Sequence, residues 1–192
     1  MDIEEGILAV KAARASIEAE TVGLSPELDL PPSFDRKSGV FVTINTYPKG
    51  DLRGCIGYPE AAFPLKDALV FSAQSACHDP RFMPLSEREA ANCTVEVTVL
   101  STPVQIDCPK DDLPKEVVIG RDGLIIQFGR RRGLLLPQVP VEWGWDVEEY
   151  LSQLSAKAGL PSDAWKLKDS MIWKFTGEIF HELSPRGEIV RG

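Results

Sequence analysis

The stretch "DLRGCIGYP", Asp51 to Pro59, places a thiol between two glycines and an arginine two positions before it. Cys55 is the obvious candidate nucleophile: the thiolate is intrinsically reactive, and flanking glycines leave it sterically open. On a regular strand Arg53 would share its face, favour the thiolate, and hold a substrate carboxylate or phosphate. Gly54 and Gly57 weaken a regular strand and suggest a bulge or the close approach of another backbone or a ligand. Against this stands the commoner fate of a free cysteine, a small buried hydrophobe, in which Cys55 only lines or supports the bend.

A cysteine enzyme also needs a base. Of the two histidines, His78 lies in the proline-broken stretch "HDPRFMPL", next to Asp79 and close to Arg81. If that loop folds over the signature strand, Cys55, His78 and Asp79 become nucleophile, base and orienter. The plainer reading is that Asp79 and Arg81 tie the loop down through an ion pair or backbone hydrogen bonds, with Arg53 to Asp79 as a further pairing. Glu96 would be a base if its strand face lines the site, whereas His181 defaults to the surface. Trp143 and Trp145 read as packing before a helix rather than as a stacking platform. The chain has no P-loop, G-x-G-x-x-G, H-E-x-x-H or G-x-S-x-G, which argues against ATPase, dinucleotide-dehydrogenase and common hydrolase functions. No cofactor is implied. The cysteines Cys55, Cys77, Cys93 and Cys108 form no C-x-x-C pair, so free thiols are expected and a zinc site is not.

The elements that must carry these residues follow from periodicity. Residues 3–22 have helical spacing up to Gly23, and the proline-rich segment after them reads as extended. "GVFVTINTYPKGDLRGCIGY" is a hairpin about Tyr47–Asp51, with the signature on its second strand. A helix begins at Pro64, and Ser86 with Glu89 forms a capping box for a short one. Val95, Val97 and Val99 alternate as one face of a strand. Three strands are expected across "VVIGRDGLIIQFGRRRGLLLP", a helix from Asp146 to Gly159, and one final strand, "MIWKFTGEIF", before a polar tail. Hairpin-linked strands without strict alternation predict an α+β fold with a mainly antiparallel sheet and flanking helices. The 192 residues suit one domain built of two subdomains. The net charge of −8 argues against nucleic acid as a partner. No apolar run is long enough to cross a membrane, and the acidic N-terminus is unlike a signal peptide, so a cytoplasmic protein is expected.

"LRGCIG" followed by "DPRFMPL", "LLLPQV" and "GWD" resembles the AMMECR-like family, named after the AMME syndrome chromosomal region, over about residues 3–182. The resemblance implies a compact α+β fold of two intimately packed subdomains, with the signature near a cleft between them. It implies no reaction. The family pattern keeps Asp, Arg-Phe and Pro in the second motif but not the histidine, which favours Arg53, Cys55, Asp79 and Arg81 over His78. Such domains occur beside, or fused to, Memo-like proteins, often with a radical-SAM protein. The expected function is therefore binding of a small anionic ligand or peptide in that cleft, with or without thiol chemistry. The alternative is a non-catalytic adaptor working with a Memo-like or radical-SAM partner.

Overall fold

The structure is a computed structural model describing residues Met1–Gly192. In chain order the helices are α1 (Ile3–Thr21), α2 (Leu65–Cys77), α3 (Glu87–Ala90), α4 (Val139–Trp143) and α5 (Val147–Lys157). The strands are β1 (Val40–Thr46), β2 (Leu52–Tyr58), β3 (Cys93–Leu100), β4 (Val104–Gln105), β5 (Gly123–Phe128), β6 (Arg131–Leu135), β7 (Met171–Phe175), β8 (Gly177–Glu182) and β9 (Ile189–Arg191). The chain divides into two compact units, Met1–Leu100 with Glu178–Gly192, and Ser101–Gly177. The fold is α+β, with a sheet in each unit.

In the first unit the sheet order is β2-β1-β3-β8-β9, with β1–β2, β1–β3 and β8–β9 antiparallel. Alternation decides its faces. Val40, Val42, Ile44, Val95, Val97 and Val99 are buried against Leu65, Leu69, Ala73 and Ala76 of α2 and Ala9, Val10, Ala13 and Ile17 of α1. Phe41, Thr43, Thr94, Glu96 and Thr98 point the other way and are half-buried. Asp2 caps α1 by accepting from the Glu5 amide at 2.8 Å. Arg14 of α1 crosses under the sheet to an ion pair with Glu182, and donates to the carbonyls of Ala90 (2.9 Å) and Cys93 (2.7 Å). Glu182 also accepts from the Val95 amide at 3.0 Å, so this buried charge pair is satisfied by backbone as well as by its partner.

The second unit has the order β4-β7-β5-β6, antiparallel throughout. Its core joins Leu124, Ile126 and Ile172 to Tyr150, Leu151 and Leu154 of α5. Two expectations are corrected here. Residues 117–119 form no strand: they follow a 3-10 turn (Lys110–Glu116) and lead into a second turn that Asp122 closes by accepting from the Val118 amide, leaving two strands where three were expected. The stretch "MIWKFTGEIF" is two strands in two different sheets, broken at Thr176, whose amide and carbonyl are taken by the Ser101 hydroxyl and amide. The tail after Glu182 also returns as β9, adding an edge strand.

Candidate functional site

β2 is the outermost strand of its sheet, and Cys55 sits opposite Thr43 of β1. Both side chains lie on the face turned away from α1 and α2. The Thr43 hydroxyl donates to the Cys55 sulfur at 3.3 Å, and the thiol is half-buried. Its backbone groups point outwards, to the free edge of the sheet. There the loop after α2 meets them: the Cys55 amide donates to Asp79 Oδ2 at 2.9 Å, and Arg81 Nη2 donates to the Cys55 carbonyl at 3.3 Å. Asp79 and Arg81 thus take the places a neighbouring strand would occupy.

Asp79 is 2% exposed, and it accepts from the amide of Arg81 as well as from its guanidinium. The hydrogen bond from the Arg81 side chain, assisted by the two amides, holds its carboxyl far below the usual range against the opposing effect of burial. The Arg81 side chain is 54% exposed, leaving its outer edge in solvent beside the thiol. Phe82 lies under both Arg81 and Arg53, each guanidinium 5.7 Å from the ring centre.

The two glycines of the signature are there for fit. A Cβ at Gly54 would stand 2.3 Å from the Ala76 carbonyl oxygen, so the last turn of α2 rests directly on the strand backbone. At Gly57 it would meet the Phe41 ring at 2.4 Å. Neither has a positive φ, and neither bends the chain; they admit neighbours.

Two juxtapositions considered from the sequence are absent. Arg53 does not face the thiol, because the β1–β2 ladder shifts register between Ile44 and Asn45 and leaves Arg53 as the extra residue. Its guanidinium goes instead to Glu89 (3.1 and 3.3 Å) and the Met83 carbonyl (2.9 Å), and only 12% of the side chain is exposed. Glu89, which also completes the capping box on Ser86, is lowered to about 2 by the hydrogen bond from Arg53. His78 is not part of a triad. It is exposed on the helix side, with Nε2 2.8 Å from the Glu20 carboxylate of α1. Asp79 therefore orients no imidazole; it orients a strand. The residue missed in the sequence is Thr43, whose position opposite Cys55 follows only from the hairpin register. All four cysteines are unpaired, and burial pushes Cys77 up to about 12, which disfavours its nucleophilic thiolate form.

The fold and this site define an α+β protein with a half-buried thiol on a sheet face, its strand clamped from the edge by an aspartate–arginine pair. The chain belongs to the AMMECR1 family, whose model matches residues 10–180. It is 50% identical over 194 residues to a protein of Methanococcus aeolicus, covering 99% of this chain and 97% of that one. Protein MJ0810 of Methanocaldococcus jannaschii is 49% identical, covering 99% and 96%. The crystal structure of the uncharacterized protein PH0010 from Pyrococcus horikoshii aligns with a TM-score of 0.82 at 46% identity, over 100% of this chain and 98% of that one. No helix is long and apolar enough to cross a membrane.

Proposed function

We propose that the face of the first unit's sheet around Cys55 binds a small ligand with an anionic group, taken by the exposed edge of Arg81. The observation carrying this reading is the placement of a half-buried thiol, bonded only to the Thr43 hydroxyl, beside a guanidinium that still reaches solvent. Cys55 is the reactive group of the site. Arg53, committed to Glu89 and Met83, serves the loop and not the ligand. Gly54, Gly57 and Asp79 hold the strand in place.

The test is alkylation of the native protein by iodoacetamide across pH, with the modified cysteines located by mass spectrometry. Cys55 is expected to react first and Cys77 only after denaturation. Equal protection of Cys55 and Cys77 would sink the proposal.

A second reading is favoured by the aromatic cluster of half-buried Tyr58 with exposed Phe63 and Phe71, whose rings meet edge to face at 5.4–6.4 Å. Such a cluster suits a docking surface, and an adaptor role with a Memo-like or radical-SAM protein is the corresponding function. Co-purification that survives Cys55→Ala and is lost on Phe63→Ala and Phe71→Ala would favour it.

A further inference from the structure

Beyond the thiol, the same sheet face carries a row of functional groups that the function above does not use. Cys55 on β2 is opposite Thr43 on β1, and Thr43 is opposite Glu96 on β3. β8 is the next strand. On it Phe180 and Glu182 are buried, towards the helices, so His181 between them shares the face of Glu96. Thiol, hydroxyl and carboxyl therefore stand in one line across three adjacent strands, with Arg81 at the outer end and His181 on the same face of the fourth. At about 4.8 Å per strand, the backbones of Cys55 and Glu96 are roughly 10 Å apart.

Glu96 is the exception among the shielded carboxylates of this protein. Asp79, Asp122 and Glu182 each pair with an arginine and accept from a backbone amide. Glu96 is half-buried beside Thr43, Thr94 and Thr98, and its carboxyl, still reached by solvent, takes part in no hydrogen bond or ion pair. Burial raises its pKa, and His181, the only charged neighbour acting on it, pulls the other way.

We propose that Glu96 is the cation-binding end of the site described above, so that its ligand is a zwitterion: an anionic group on Arg81 and a protonated amine on Glu96. The inference rests on the reading of Cys55 as the accessible reactive group. The ammonium takes the free carboxyl of Glu96 as its acceptor, and Thr43 bridges the row between Glu96 and the thiol.

Cys55 itself can report the local charge. Rates of its modification by 2-aminoethyl methanethiosulfonate (cationic) and 2-sulfonatoethyl methanethiosulfonate (anionic) are measured from pH 5 to 9, with mass spectrometry to isolate Cys55. Their ratio cancels the ionisation of the thiol. In the wild type the cation-to-anion ratio is expected to rise roughly three- to tenfold as Glu96 ionises, and in Glu96→Gln that rise is clearly reduced. His181 acts on the Glu96 carboxyl, so His181→Asn is measured in parallel; there the rise persists and moves to higher pH. A ratio unchanged by Glu96→Gln, with Cys55 still reactive, overturns this inference alone. A Cys55 inert in the native protein overturns the ligand site itself and this inference with it.

Discussion

The two units solve the same packing problem twice, with different results. In each, the end of a helix rests on a strand glycine: a Cβ at Gly54 would stand 2.3 Å from the Ala76 carbonyl of α2, and one at Gly133 would stand 2.7 Å from the Ala158 amide after α5. In each, a buried aspartate pairs with a nearby arginine that is more than half exposed, Asp79 with Arg81 and Asp122 with Arg121. The difference is reach. Asp122 spans only four residues, to the Val118 amide, and closes its own turn. Asp79 spans 24, to the Cys55 amide, and fixes a strand of another element. The same pair of side chains is a local tie in one unit and the frame of a candidate site in the other.

Substitutions can break or sharpen this contrast. Gly54→Ala is expected to cost the most, about 3 kcal/mol in urea unfolding, because the new methyl meets a backbone carbonyl. Gly133→Ala should cost less, since its conflict is milder. Next comes Asp79→Ala, at about 2–3 kcal/mol: it strands the Cys55 amide and the Arg81 charge together. Asp122→Ala, which frees only a local turn, is expected to cost about 1 kcal/mol. Equal losses at the two aspartates would erase the distinction in reach.

The acid limb gives a smaller effect with a definite sign. Asp79 is held well below its ordinary pKa by Arg81, and Glu89 is lowered to about 2 by Arg53. Both contribute stability that is complete above about pH 4.5 and is lost as pH falls towards their folded values. Stability measured from pH 5 to 2.5 should therefore fall less steeply in Asp79→Asn than in the wild type. The smallest effect is expected from Glu96→Gln. Burial raises the pKa of Glu96, so its ionised form weighs against folding as pH rises through that value. Removing the charge should leave stability at pH 8 unchanged or higher, by less than about 1 kcal/mol. A clear loss would mean that the carboxylate has a bond that matters to the fold.

Much of the scaffold was legible from local pattern. The α1 boundary at Gly23, the hairpin about Tyr47–Asp51, the Ser86–Glu89 box and the alternating valines of β3 all report short-range physics. What the sequence could not disclose was register. One extra residue in β2 turned Arg53 away from Cys55, and no composition rule predicts which residue of a glycine-weakened strand becomes the bulge. His78 next to Asp79 looked like half a triad, but sequence neighbours at a helix end diverge: the aspartate turns in to the strand and the imidazole out to α1. Thr43 and Glu96 entered the row only through strands pairing at long range, and the single stretch 171–180 gave no local sign that it serves two sheets.

The clamp on β2 also bears on how separate molecules behave together. An outer strand with bare amides and carbonyls is a template on which a second chain can add, the first step towards fibres. At Cys55 both of those groups are already occupied by Asp79 and Arg81. Loss of the clamp therefore uncovers an adhesive edge as well as weakening the fold, and it turns a defect within one molecule into one that grows with protein concentration.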